Sequence, residues 1–334
     1  MRWLILLSVL LLTGCSQEKI YSQESYVFGT RVEITLYGVP QALAERVSAQ
    51  VLRDFDDMHH TLHAWEPGTL ARMNGIFALA PAQAAIAPVM IPIIQDATRY
   101  SVQSEGLFNP AIGHLIALWG FQSDHFESKL PDPARIKEWV AANPRMQDIV
   151  VDGILFHSTN SAVRLDLGGY AKGYALDMAA AYLRSQGIKN ALINIGGNII
   201  AIGQHGDRPW RVGIQHPRKP SPIALLDLGD GEALGTSGDY QRYFELNGQR
   251  YCHIIDPHTG WPAQGVQAVT VLIPPGPHAG TLSDVASKPI FIAGVAGWKT
   301  AAQKMGVNDV MLIDAHGKLH VTATMQKRLN FNVN

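Results

Sequence analysis

Apolar positions along this chain fall into two rhythms. Leu43, Val47, Val51, Phe55, Met58 and Leu62 recur at spacings of three and four, which makes one face of a long helix. Pro88 can open a second helix, with Val89, Ile93, Ala97 and Tyr100 on one face and Gly106 beyond its end. Asp132-Pro133 supplies an N-cap and a first-turn proline for a third. A fourth runs from about Lys172 to Arg184, with Gly187 as its stop. A fifth is expected from Ser283 to about Ala293 despite Pro289.

The other rhythm is short apolar runs broken by turn residues. Tyr26 to Tyr37 reads as a first strand interrupted at Gly29-Thr30. Ile149 to Val151 and Ile154 to Phe156 flank Asp152-Gly153, and Tyr243 to Leu246 and Tyr251 to Ile255 flank Asn247-Gly248. Both dipeptides signal hairpins, because tight hairpin turns need positive φ. Val163 to Asp166, Ala191 to Ile195, Asn198 to Ile202, Trp210 to Ile214, Val269 to Ile273, Val310 to Ile313 and Leu319 to Val321 complete the expected strands. Hairpins and helices mix without regular βαβ alternation, so the pattern predicts an α+β fold with antiparallel sheet.

Composition narrows the class. The 334 residues suffice for one large domain or two. Apolar content of 47% and charged content of 16% suit a packed globular protein. Lys+Arg 27 against Asp+Glu 28 leaves a net charge of −1, which argues against a nucleic-acid binder. At the N-terminus, Arg2 precedes an apolar run from Leu4 to Leu12, then Leu-Thr-Gly-Cys15. The run is short for a bilayer span and reads as the core of a secretory signal. The residues before Cys15 resemble a bacterial lipobox. That implies a signal peptide over residues 1–14, a lipid on Cys15, a tether over 15–25 and a periplasmic location. Cys252 is then left alone, which argues against a disulfide framework. Its alternating neighbours make it a buried strand residue rather than a nucleophile.

Four polar clusters could carry chemistry. Asp166-Leu-Gly-Gly-Tyr-Ala-Lys-Gly-Tyr174 runs a strand through glycines into a helix. It is either a phosphate-binding turn with Lys172 as a point charge, or a tight turn with a surface lysine. It matches neither a P-loop nor a dinucleotide fingerprint. Asn194-Ile-Gly-Gly-Asn198 is a turn or bulge that means little alone. Gly235 to Gly260 holds Thr236, Ser237, Gly238, Asp239, Asp256 and His258. Histidine titrates nearest neutrality of the side chains, so His258 is a candidate proton acceptor that Asp256 could orient; a plain DP-TG turn is the alternative. In Ser283-Asp-Val-Ala-Ser287-Lys288, Asp284 and Lys288 share a helix face. They form an ion pair, or Asp284 binds a hard cation. His59 and His63 have a metal-ligand spacing, but no carboxylate is evident nearby, and helix-end histidines suit the macrodipole.

Taken in series, these segments resemble the ApbE family of flavin transferases, the FAD:protein FMN transferases. The resemblance rests on Phe28-Gly29-Thr30, on Leu107-Phe-Asn-Pro110 leading to Leu118-Trp-Gly-Phe121, and on Asp166 through Tyr174. It continues through Asn194 to Asn198 and Gly235 to Tyr240, and ends at His253-Ile-Ile-Asp-Pro-His-Thr-Gly260. It implies an ApbE-like, T-fold-related α+β domain over residues 26–334, with antiparallel sheets, helices and two subdomains flanking a flavin cleft. It implies cleavage of FAD, transfer of FMN to a Ser or Thr hydroxyl of a target protein as a phosphodiester, release of AMP, and a Mg²⁺ requirement. The implied acceptors are sodium-pump subunits or other extracytoplasmic electron-transfer proteins.

By the same resemblance, Phe28, Trp65, Thr69, Asn109, Lys172 and Ile255 contact flavin or nucleotide. Gly169 (through its carbonyl), Asp284, Ser287 and Lys288 fall in the metal shell, and His258 and Asp284 assist proton transfer. One position departs from the family. Where members carry Thr, this chain has Lys288 followed by Pro289, and a charged ammonium has no lone pair to ligate a metal. Two other functions share the binding residues: a Mg²⁺-dependent FAD pyrophosphatase and a flavin-binding accessory lipoprotein without turnover.

Overall fold

Turn chemistry decides where the chain first doubles back. Phe28 and Gly29 both take positive φ, 56° and 68°, and close a hairpin between β1 (Ile20–Val27) and β2 (Thr30–Tyr37). The computed structural model describes residues 20–123 and 127–332, so Cys15 and the expected signal lie outside the described residues. The tether expected over 15–25 needs correction: residues 20–25 already belong to β1, paired to β2 along its whole length.

The first half continues with α1 (Gln41–Leu62), α2 (Thr69–Phe77), β3 (Ala84–Ala85), α3 (Met90–Gln103), α4 (Gly113–Leu118), α5 (Pro133–Ala142), β4 (Ile149–Asp152), β5 (Leu155–Ser158) and α6 (Ala171–Ser185). The second half runs β6 (Ala191–Ile195), β7 (Asn198–Ile202), β8 (Trp210–Gln215), β9 (Pro222–Leu228), β10 (Ala233–Gly238), β11 (Tyr243–Leu246), β12 (Gln249–Cys252) and β13 (Val266–Ile273). It ends with α7 (Ala279–Lys304), β14 (Asp309–Asp314), β15 (Leu319–Val321), α8 (Ala323–Arg328) and β16 (Leu329–Asn330). No helix among the described residues is long and apolar enough to cross a membrane.

An antiparallel sheet of eight strands, in the order β1-β2-β6-β7-β10-β13-β14-β15, organises the molecule. Alternation along its strands sends one set of side chains to each face. On one face Ile34, Ile193, Val269 and Val271 meet the apolar sides of α1, α6 and α7. On the other, Ile199, Leu234, Leu272 and Met311 meet Trp210, Val212, Leu226 and Leu228 of the small sheet β16-β9-β8. A third cluster joins α4 and α5 to the β11–β12 hairpin through Leu115, Trp119, Ile136, Phe244 and Tyr251.

Several sequence expectations need adjusting. Val163 to Asp166 is extended but joins no sheet. Its backbone bonds go instead to Ala111 and Pro110 carbonyls (3.2 and 2.8 Å) and, at Leu165, to both ends of the buried Asn74 side chain (2.7 and 2.9 Å). Helix α2, which carries Asn74, was not expected. Pro88 lies in the turn before α3 rather than in it. Helix α7 begins earlier and runs further than expected, and it kinks at Gly294, where φ is 62°.

Helices α6 and α7 cross very closely. A Cβ on Gly173 would stand 2.4 Å from the Gly280 carbonyl oxygen and 2.7 Å from Asp284 Cβ. Asp177 of α6 then caps α7, accepting from Gly280 N (2.7 Å), Thr281 N (2.8 Å) and Thr281 Oγ1 (2.6 Å). Those bonds satisfy donors that a helix start leaves open. The crossing brings the N-terminus of α6 against Asp284.

Candidate active site

The β1–β2 turn, the turn into α6, the end of β10, α7 and the segment after β12 converge on a cleft of about 500 Å³, within the range of small-molecule sites. Phe28 stands at one wall. Its ring meets Phe55 at 5.9 Å and His59 at 5.7 Å. A bulky residue with positive φ is strained; these ring contacts and Gly29 hold it there.

Another part of the cleft is charged. Asp284 is almost fully buried, and its Oδ1 accepts from Lys288 Nζ at 2.6 Å. Its Oδ2 accepts from Gly173 N at 3.0 Å. Lys172 Nζ lies 3.8 Å from Oδ1 and donates to the Gly168 carbonyl at 3.2 Å. Burial resists ionisation of the Asp284 carboxyl, but the Lys172 and Lys288 ammoniums outweigh it and hold the group below the usual carboxylate range. Burial pushes the Lys288 ammonium down, and Asp284 offsets part of that. Asp166 accepts from Trp65 Nε1 (2.8 Å) and Gly168 N (2.8 Å), which fixes the glycine turn.

Of the residues that the sequence singled out, Phe28, Asn109, Gly169, Lys172, Ile255, Asp284 and Lys288 line this cleft. Asn109 does so with its amide engaged by Pro144 O (2.9 Å) and Ala111 N (3.1 Å). Four do not line it. Trp65 stands one residue behind, bonded to Asp166 and lying 4.1 Å under the Arg164 guanidinium. Thr69 opens α2, and its hydroxyl accepts from Arg72 at 3.2 Å. Ser287 is buried, with its hydroxyl on Ser237 Oγ (2.7 Å) and Asp284 O (2.9 Å). His258 is exposed and borders an adjoining cavity of about 180 Å³. Asn109, Ile112 and Pro257 line both spaces.

The metal shell expected from the resemblance does not fit. Lys288 Nζ bonds both Oδ1 and the backbone carbonyl of Asp284, the latter at 2.7 Å. Its stem crosses Gly169, where a Cβ would stand 2.8 Å from Lys288 Cε. An ammonium therefore occupies the ground between Asp284 and Gly169, and Ser287 Oγ is committed elsewhere. Mg²⁺ requires six oxygen ligands at about 2.0–2.1 Å.

The histidine cluster at the end of α1 does have a carboxylate, contrary to the sequence reading: His59, His63 and Glu66 bring ligand atoms within 4.8 Å of one another. Yet His63 Nδ1 accepts from the backbone N–H of Trp65 (3.3 Å) and of Glu66 (3.0 Å). A neutral ring then carries its proton on Nε2, the atom turned to Glu66, and that atom cannot ligate.

Several lining residues were given no site role by the sequence reading. Thr236, Ser237, Gln241 and His253 all reach the cleft. Thr236 and Ser237 stood in a flagged cluster, but nothing local said which way β10 faces. His253 Nδ1 lies 3.2 Å from the Arg242 carbonyl, which can only accept, so Nδ1 carries the proton. Burial, then the Arg242 charge, pushes this imidazole down to about 3, and it stays neutral. Cys252 is buried, and burial raises its thiol to about 12, so it is an inert strand residue.

The fold and this site define a class. The ApbE family profile matches residues 28–312, and the chain belongs to that family. It is 40% identical over 309 residues to a Rhodobacter capsulatus protein named FAD:protein FMN transferase, an alignment covering 92% of this chain and 58% of the relative. A relative of the same name from Vibrio cholerae is 31% identical, over 81% of this chain and 82% of its own. A crystal structure of the ApbE protein from Thermotoga maritima superposes with a TM-score of 0.84 at 27% identity, covering 93% of this chain and 99% of that one.

Proposed function

We propose that this chain transfers FMN from FAD to a Ser or Thr hydroxyl of a target protein, releasing AMP. The acceptor oxygen forms a bond to the FMN-side phosphorus. The bond from that phosphorus to the bridging oxygen breaks, AMP leaves with the electron pair, and the hydroxyl proton passes to a base. Such chemistry rests on positioning and on neutralising phosphate oxygens. The observation that carries the reading is the convergence of Lys172, Lys288 and the glycine turn before α6 on one cleft that also holds Phe28. The aromatic wall suits an isoalloxazine ring, and the cationic part with a helix N-terminus suits a diphosphate. The names of the relatives support the same reading.

His258 is our candidate proton acceptor. It borders the smaller cavity, so we assign that side to the incoming acceptor segment. We further propose that Cys15 carries a lipid and holds the protein at the periplasmic side of a membrane, where electron-transfer subunits serve as acceptors. Loss of acyl labelling in Cys15→Ser tests the anchor. The function is tested by incubating the protein with FAD and a Thr-bearing acceptor, then weighing the acceptor by mass spectrometry. A gain equal to FMN supports transfer. Free FMN and AMP with unmodified acceptor would make it a pyrophosphatase, and intact FAD would make it a binding protein.

A further inference from the structure

We propose that Lys288 is the resident cation of this cleft and that the FAD diphosphate is held by Lys172 and Lys288 without a divalent metal. This rests on the flavin reading above and concerns how that site neutralises its ligand.

The geometry carries the argument. Lys288 Nζ donates to Asp284 Oδ1 at 2.6 Å and to Asp284 O at 2.7 Å, and an ammonium has a third proton to give. Its side chain keeps 18% of its surface exposed, whereas Asp284 keeps 2%. The lysine is therefore the partner that faces the cleft, and the carboxylate is the anchor behind it. Lys172 Nζ stands 3.8 Å from the same Oδ1. Two ammoniums against one carboxylate leave a surplus of one positive charge in a largely dry corner. A bound divalent ion would need the carboxylate oxygen that Lys288 holds, and would meet two like charges within a few ångströms. A diphosphate dianion needs no such rearrangement: it meets the surplus charge of the two ammoniums. Gly169 lets this happen, since any side chain there would meet the Lys288 stem.

The test uses the whole chain. Mn²⁺ binding is followed by electron paramagnetic resonance, and FAD affinity by flavin fluorescence with EDTA and with Mg²⁺. For the parent we expect no Mn²⁺ signal beyond free ion, and FAD affinity equal in EDTA and Mg²⁺ to within about twofold. Lys288→Thr removes the ammonium and restores a hydroxyl; it is expected to bind Mn²⁺ and to hold FAD about tenfold more tightly with Mg²⁺ than with EDTA. Lys288→Met removes the charge without a ligand, and is expected to lose about tenfold in FAD affinity that Mg²⁺ does not restore. Saturable Mn²⁺ binding by the parent, or loss of its FAD affinity in EDTA, would overturn the proposal. The parent measurements stand even if a variant fails to fold. The Mn²⁺ contrast between parent and Lys288→Thr needs no flavin, so absence of FAD binding throughout would sink the flavin reading while that contrast still judged the cation.

Discussion

The two faces of the eight-stranded sheet solve different problems. The face toward β8 and β9 is closed by Trp210, Val212, Leu226, Leu228 and Leu272, with aliphatic side chains on both sides. Its one buried indole N–H is spent on a backbone carbonyl, Trp210 Nε1 on Ile202 O at 3.0 Å. The face toward α6 and α7 is also lined by buried apolar side chains, yet it holds Asp177, Asp284 and Lys288 at the helix crossing. Apolar packing alone would have closed either face. Charges are kept on the second because that is where the cleft opens, and each is satisfied by a backbone or side-chain partner, as burial demands. Substitutions on the first face should touch stability alone, and those on the second should touch the ligand.

Asp284→Ala should have the largest effect. It strips Lys172 and Lys288 of their shared partner, and breaking a buried pair costs about 3–5 kcal/mol. FMN transfer is expected to fall by about 10²–10³-fold, measured as initial rate on an acceptor protein. Leu272→Ala on the opposite face should destabilise the fold by about 2–5 kcal/mol, read from denaturant unfolding. FAD affinity of the folded protein should stay within about twofold. A large loss of affinity there would erase the contrast between the faces.

His253 adds a pH dependence. Its folded imidazole is pushed down to about 3, chiefly by burial, and unfolding restores a value near 6.5. The unfolded chain therefore binds one more proton between these limits. Stability from this group is present above about pH 6.5 and is lost as pH falls toward 3, at up to about 1.4 kcal/mol per pH unit. Comparing unfolding free energies of the parent and His253→Gln across that window should show a shallower acid slope in the variant. Phe28→Asn gives the smallest effect and the sharpest separation. Asn-Gly is the favoured pair for a turn with two positive φ values, so thermal stability should hold, while loss of the aromatic wall weakens FAD binding about fivefold.

Much of the fold was legible in the chain. Asn247-Gly248 and Asp152-Gly153 mark their hairpins because few residues tolerate the φ values of 53° and 76° at the first and 57° at Gly153. The period of Leu43 to Leu62 gives α1, and Asp132 caps α5 through Ala134 N at 2.8 Å. What stayed hidden is non-local. Val163 to Asp166 has strand composition, but a side chain 91 residues earlier, Asn74, takes the place of a neighbouring strand. Nothing near Asp177 announces that it caps a helix more than a hundred residues away. At the site, the glycine turns and Asp284 could be read directly. Trp65, Thr69 and Ser287 were expected at the ligand or metal, yet their side chains turn to Asp166, Arg72 and Ser237. Side-chain direction within a segment follows from packing partners that spacing does not reveal.

A structure of this chain with bound FAD measures the main idea most directly. The expected result puts the diphosphate within hydrogen-bond distance of Lys172 and Lys288, with the isoalloxazine against Phe28. FAD seated in the smaller cavity, which Trp139 and Arg145 line, or a diphosphate out of reach of both lysines, would contradict it.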